Sequence, residues 1–320
     1  MFICQVSLAR DIPIIIQNYF AFKDYYKDIK IFIICPKHEM DEFKNKLDYD
    51  DFIFICEDKI ISFSKFFDIF KTLSATISYR EEMEARLKWY YQQGLKISFI
   101  MDFVQKNKEK IIMWDADTII TKKIKFFSKD YSIKYSTTFR LHKPYIDTNR
   151  SIFGKLPKYY ISSLVRFVGF TLTEYKFFKN ILYENINKYE EVSIGLTNII
   201  LQNIFKVHKF YNGSFFSEYE LIGISNYLTK SSKQKPIFYL QSGLDGQLSK
   251  YQFLIAKLFN VYHVTYEHSH LNKDSKGMLD RKQSWIKFLK IIFRGYLNYN
   301  LRNLKHNFYY YLNFRNHKVD

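Results

Sequence analysis

Four short apolar runs constrain this chain more than any other feature. The stretches "FICQVSL", "KIFIICP", "DFIFICED" and "IIMWD" are hydrophobic at nearly every position rather than at alternate ones. A strand of that kind must be covered on both faces, which is the condition of a parallel sheet with helices above and below it. Helix-length segments lie between the runs. "ARDIPIIIQNYFAFKDYY" carries Pro13, which is tolerable only in a first turn. From Arg80 to Lys106, Met83, Leu87, Tyr90 or Tyr91, and Leu95 recur at helical spacing. The order strand, helix, strand, strand, helix, strand predicts an α/β fold with a mostly parallel sheet flanked by helices.

The chain has 320 residues, 47% of them hydrophobic, so it can bury a core for one large domain or two unequal ones. Its net charge of +17 favours an anionic partner: nucleic acid, an anionic bilayer face or a phosphorylated substrate. No known nucleic-acid module signature appears, so nucleic acid is not the expected partner. Cys4, Cys35 and Cys56 sit in or beside the apolar runs without CxxC spacing, and read as buried free thiols in a reducing compartment. No charge-free run approaches the roughly 18 apolar residues of a membrane span. The N-terminus lacks a basic stretch ahead of its apolar residues and reads as the first strand, not as a signal peptide.

Past residue 120 the pattern loosens. "YSIKYSTTFRLH" reads as extended, and "TEYKFFKNILYENINKY" and "SIGLTNIILQNIFKV" as helical. "TKSSKQKP", Thr229 to Pro236, has the composition of a linker, dividing residues 1–229 from a basic, aromatic-rich, partly helical region, 230–320. Within that region, Arg281 to Val319 holds nine Lys or Arg and no acid. Trp285, Phe288, Leu289, Ile292, Tyr296 and Tyr299 interleave with these charges at helical spacing. This is the pattern of a helix lying on an anionic membrane face, or of a docked helix with a basic tail.

The fourth apolar run ends in Asp115, with Asp117 and then Thr118 following. Ionised carboxylates at the edge of a core need a partner. D-x-D after a strand is used by phosphatases of the haloacid dehalogenase type, but there the motif continues x-T, and here position 119 is Ile. It is also used by glycosyltransferases with a GT-A fold, in which paired carboxylates hold Mn²⁺ or Mg²⁺ against the diphosphate of a sugar donor. A third reading is a turn whose aspartates bond the backbone or Lys122 and Lys123.

Three segments in order decide among these by resemblance. Trp89, Gln92, Gln93 and Lys96 lie in "RLKWYYQQGLKI", Asp115 and Asp117 follow, and Ser217 to Leu221 with Gly223 form "SEYELIG". Together they resemble a family of bacterial GT-A-like glycosyltransferases of surface polysaccharide and lipopolysaccharide synthesis. The family's W-x-x-Q-Q-x-x-K, D-x-D and S-E-Y-E-L segments match over residues 1 to about 228, although the Gly usual before the Trp is Lys88 here. "SLARD" is similar to the family's turn after the first strand, which places Ser7 and Asp11 near the nucleotide. The resemblance implies a GT-A-like fold and a hexosyltransferase-like enzyme. It implies a nucleoside diphosphate sugar donor and a glycan or lipid-linked glycan acceptor. The basic C-terminal segment would keep such an enzyme cytoplasmic and peripheral, on the inner face of the membrane.

The same resemblance implies that Gln92 or Gln93 faces the donor site; a solvated helix face is the plain alternative. Glu218 and Glu220 would share one face if "SEYEL" is extended, flanking a sugar with one as general base; if the segment starts a helix, Ser217 caps it and Glu220 is its capping-box partner. His268, between His263 and His270, is a candidate third metal ligand. The rival reading of the whole chain is a non-catalytic basic protein that binds nucleic acid or membrane on a nucleotide-binding-like fold.

Overall fold

The computed structural model describes residues 1–75, 83–127, 132–138, 142–154, 163–186, 191–208, 214–229, 232–236, 238–240, 248–266 and 282–316. In chain order the strands and helices are β1 (Phe2–Val6), α1 (Ile12–Tyr25), β2 (Lys30–Cys35), α2 (Met40–Lys46), β3 (Phe52–Cys56) and α3 (Phe63–Ser74). Then come α4 (Leu87–Asn107), β4 (Ile111–Met113), β5 (Thr118–Ile120), β6 (Ser132–Thr138), α5 (Lys143–Phe153) and β7 (Ser163–Phe170). The rest are α6 (Leu172–Ile186), α7 (Val192–His208), α8 (Glu218–Leu228), β8 (Ser232–Pro236), β9 (Tyr239–Leu240), α9 (Lys250–Leu258), β10 (His263–Thr265) and α10 (Trp285–Asn316).

Seven strands form the main sheet in the order β3-β2-β1-β4-β7-β6-β8. The four apolar runs of the sequence are its parallel half, with Ile3 opposite both Ile31 and Ile112. Strand alternation sends Cys4, Phe32, Ile34, Ile111 and Met113 into one core, under α3, α4, α7 and α8. It sends Ile3, Ile31, Ile33, Cys35, Ile112 and Trp114 into the other, under α1 and α2. Both faces of β1, β2 and β4 are covered, which is why those runs are apolar throughout, while Ile53 of the edge strand β3 remains exposed. β7 pairs antiparallel with β4 and β6, and closes the sheet's second half with β8.

A small second sheet, β5-β10-β9, carries its own core with α9 and α10, including Val264, Phe238, Phe288 and Ile292. Gly295 lets α10 lie close: a Cβ there would stand 2.6 Å from the Phe238 ring.

Two sequence expectations need correction here. The segment Thr229 to Pro236, expected as a linker, contains β8, which lies parallel to β6 at the sheet's edge. Lys and Pro are tolerated at an edge strand, where they also discourage pairing with other chains, so a linker-like composition suits it equally. The helix expected from Arg80 is interrupted: Met83 and Glu84 are helical, Ala85 and Arg86 form a turn with Arg86 at a non-helical backbone (φ −107°, ψ 3°), and the long helix runs from Leu87. Residues 80–82 lie outside the described residues.

Candidate active site

From β1 the chain steps outward through β2 to β3, then returns to place β4 on β1's other side. Connections therefore leave β1 and β4 in opposite directions, and the crevice beyond the carboxyl ends of two such strands is where open α/β sheets bind ligands. Ser7 stands at the end of β1, Trp114 to Asp117 at the end of β4. Sequence position alone thus delivers both expected groups to one edge.

The turn after β1 is closed internally. Asp11 Oδ2 accepts from the Ser7 hydroxyl at 3.3 Å and from the Leu8 amide at 3.2 Å. The Ala9 amide donates to Glu39 Oε2 at 2.8 Å, tying this turn to the loop after β2. After β4, the Thr118 amide donates to the Asp115 carbonyl at 3.1 Å, so the aspartates sit on a tight turn. β10 holds that turn from the other side: the Tyr266 amide donates to the Asp117 carbonyl at 2.9 Å, and the Thr118 and Thr265 hydroxyls are 2.9 Å apart. The Thr118 hydroxyl also donates to Asp117 Oδ1 at 3.2 Å. Trp114 anchors the base through its indole N–H on the Thr118 carbonyl at 2.8 Å.

The centre of the site is a buried ion cluster. Lys96 Nζ, from the middle of α4, lies 2.5 Å from Asp115 Oδ1 and 2.9 Å from Glu218 Oε1. The Tyr219 hydroxyl donates to the same Asp115 oxygen at 2.9 Å, and the Lys96 ammonium stands 5.2 Å from the Tyr219 ring centre. Side chains of Lys96 and Glu218 are 9% and 5% exposed, whereas Asp115 is 30% exposed, so one carboxylate of the cluster reaches the surface. Burial by itself would push Lys96 down, but Asp115 and Glu218 outweigh it and hold the ammonium well above its usual range. Burial and the nearby Asp115 raise Glu218, against the opposing pull of Lys96. Tyr219 is likewise raised well above normal, by burial first and Asp115 second, and stays a neutral donor.

The sequence-predicted residues fall out unevenly. Lys122, offered as a turn partner for the aspartates, instead donates to Asn260 at 2.5 Å. The cation that Asp115 required is Lys96, 19 residues upstream. Gln93 is buried and Gln92 half-buried, so neither lies on a freely solvated face. Trp89 is half-buried against the core, next to Tyr90. "SEYEL" is not extended: Glu218 opens helix α8, with the Ser217 hydroxyl 3.4 Å from the Glu220 amide as an N-cap. At about 100° per helical residue, Glu218 and Glu220 point to different sides of α8, so they do not share one face. Glu218 meets Lys96, while Glu220 is buried away from that contact. His268 lies outside the described residues; His263 is buried in β10, its Nδ1 3.2 Å from the Thr265 hydroxyl.

Lys96 and Tyr219 are the members of this cluster to which residue-by-residue reasoning assigns no role. The available signal is the spacing of Gln93 and Lys96, three apart and so on one side of the helix, among the apolar Tyr90, Leu95, Ile97 and Ile100.

Among the described residues no group of three or more His, Cys, Asp or Glu could hold a metal. Asp115 and Asp117, both partly exposed, provide two carboxylates on one turn. That donor set fits a hard cation that takes its remaining oxygens from substrate phosphate and water, as Mg²⁺ and Mn²⁺ do. A concavity of about 700 Å³ lies at the opposite edge of the sheet, lined by Phe2, Tyr26, Lys110 and Phe127 among others, and contains none of these groups.

No family model and no curated protein matches the chain. Among solved structures it is similar to mouse xyloside xylosyltransferase 1 in its apo form, at 10% identity and a TM-score of 0.40 over 85% of this chain and 98% of that one. It is similar to the galactosyltransferase LgtC in complex with donor and acceptor sugar analogues, at 8% identity and a TM-score of 0.39 over 91% and 95%. The glycosyltransferase GlyE of Streptococcus pneumoniae TIGR4 follows at 11% identity and a TM-score of 0.36 over 94% and 61%. These are distant likenesses of shape, and they assign no substrate or residue to this chain.

Proposed function

We propose that this chain is a GT-A-like, metal-dependent glycosyltransferase that moves a sugar from a nucleoside diphosphate sugar to a bacterial surface glycan or lipopolysaccharide acceptor. One observation carries the reading. Lys96, Asp115 and the Glu218–Tyr219 pair come from the three sequence segments that the family resemblance rests on, and they bond directly to one another at the switch point of the parallel strands. Segments that far apart have no local reason to share charged residues; a common site is a sufficient one.

In this reading Asp115 and Asp117 hold Mn²⁺ or Mg²⁺, which when bound supplies positive charge for the diphosphate leaving group. Asp115 Oδ1 accepts from Lys96 and Tyr219, and the partly exposed carboxylate remains open to a cation. Lys96 fixes the orientation of that carboxylate, and Glu218 balances the charge of Lys96. Glu218 therefore acts as a positioning residue. Ser7 and Asp11 shape the turn at the end of β1 that borders the nucleotide.

The test is a thermal-shift panel of UDP-, GDP-, CMP- and dTDP-sugars with and without Mn²⁺, on the wild type and on Asp117→Ala. The expected result is stabilisation by one nucleotide class that requires the metal and is lost in the variant. No metal-dependent shift with any sugar nucleotide would overturn the proposal.

A further inference from the structure

Helix α10 has two apolar rows, and the fold uses one. Phe288, Ile292, Gly295 and Tyr299, spaced four, three and four apart, face the small sheet; Phe288 and Ile292 are fully buried there, and Tyr299 stacks on Phe238 at 5.8 Å. Of the two readings of this segment, the docked helix holds for this row: Phe288 and Ile292 are core and Tyr299 is partly buried against it, because a 3.6-residue period places them on one side of the helix.

The second row is on the opposite side. Ile286, Phe293, Leu297, Leu301 and Leu304 run along it, and all five are 56–70% exposed. From first to last they span about 27 Å at 1.5 Å per residue. Helix α9 adds Tyr251, Leu254 and Leu258, at 55–72% exposure and also one-sided in spacing. The two helices meet where the Phe259 ring packs on Phe293 and Tyr296, each at 5.6 Å. Single exposed leucines need no explanation, but an ordered row of this length does.

Charge names the occupant. Lys287, Lys290 and Arg294 are exposed, and by helical period they border the outer row along one edge. Residues 281–319 carry nine basic residues and no acid. A second copy of the same helix would bring like charges together, and a nucleic acid would leave the leucines in water. We infer that the outer face of α10, extended by α9, lies in the plane of a membrane surface rich in anionic lipid, with the leucines and Phe293 among the acyl chains and the lysines and Arg294 at the headgroups. Among the described residues no helix is long and apolar enough to cross a membrane, so the contact is peripheral. This inference stands apart from the transferase reading, since none of these residues touches the aspartate site.

The experiment is co-sedimentation of the full chain with vesicles of phosphatidylcholine, with and without phosphatidylglycerol, for three proteins: wild type, Leu297→Ser/Leu301→Ser, and Lys287→Gln/Lys290→Gln/Arg294→Gln. Wild type should pellet with the anionic vesicles, less so in high salt. Each variant should lose partition roughly tenfold or more at an unchanged melting temperature, because the altered side chains are exposed. Failure of the wild type to pellet with anionic vesicles would overturn the inference, as would equal pelleting of all three proteins. A wild-type dimer that the leucine substitutions turn monomeric would assign the face to a second copy instead.

Discussion

Replacing Lys96 by Met is the sharpest perturbation available, because it removes one charge from a cluster in which three partners depend on it. Glu218 is left buried without the Lys96 ammonium, and Asp115 keeps its hydrogen bond from Tyr219. Removing one member of a buried ion pair costs about 3–5 kcal/mol. Asp115 is partly exposed and regains water, so the low end, about 3 kcal/mol, applies. The cost should depend on pH in a definite direction. Glu218 is already raised above its ordinary value by burial, and loss of Lys96 removes the influence that lowers it. A carboxyl raised in the folded state penalises folding only above its unfolded value, about 4.3. The deficit of Lys96→Met should therefore be larger near neutrality and shrink as pH falls through the raised folded value. Replacing Glu218 by Met as well removes the stranded charge, and apolar substitutes for a buried ion pair are often neutral. The double variant should thus lie within about 1–2 kcal/mol of wild type, a coupling of about 2 kcal/mol or so. Urea unfolding followed by tryptophan emission, with unchanged slope, measures all four corners. A Lys96→Met cost below about 1 kcal/mol, or strict additivity, would refute the cluster as described.

Other consequences follow from packing alone. Gln5 is buried on β1 with neither amide atom hydrogen-bonded, so Gln5→Met should stabilise the protein by about 1 kcal/mol in a denaturant titration. At Gly295 a Cβ would meet the buried Phe238 ring, and Gly295→Val should cost about 1–3 kcal/mol, read as a lower melting temperature and faster proteolysis of α10. The Cys4 and Cys35 thiols are pushed up to about 12 by burial, and Cys56 is buried as well. A thiol reagent at mildly alkaline pH should therefore find no reactive cysteine in the native protein and three after unfolding.

The parallel half of the sheet was legible because burial on both faces leaves a continuous signature in the sequence. The antiparallel half is legible only in part: β6, Ser132–Thr138, lies in the stretch that reads as extended, but β7, Ser163–Phe170, owes its place to pairing with β4, and nothing local announces that partner. Thr229 to Pro236 was misread because Lys, Gln and Pro mark edge strands and loops alike. The aspartates were legible, but their cation was not. A lysine in a helix is normally solvated, and only the long-range approach of α4 to the end of β4 and the start of α8 makes Lys96 an internal counter-ion. For α10 the period of apolar residues was visible, yet which row faced the core depended on where Phe238 and the small sheet lay.

The internal counter-ion also changes how the two aspartates should be tested. The sequence treats them as equivalent, and loss of either would be expected to spare folding. Asp115, however, accepts from both Lys96 and Tyr219, so Asp115→Ala takes one of two carboxylates from the buried Lys96 and the acceptor from the buried Tyr219 hydroxyl, and should destabilise the protein by about 1–3 kcal/mol even if it has no part in binding. Inactivity of that variant says little about metal. Asp117 has its carbonyl fixed by Tyr266, and its side chain accepts from the neighbouring Thr118 hydroxyl. Asp117→Ala should leave the urea midpoint nearly unchanged while abolishing any Mn²⁺-dependent stabilisation by sugar nucleotide. If Asp117→Ala instead unfolds as readily as Asp115→Ala, the turn itself depends on both carboxylates, and the metal assignment loses its clean support.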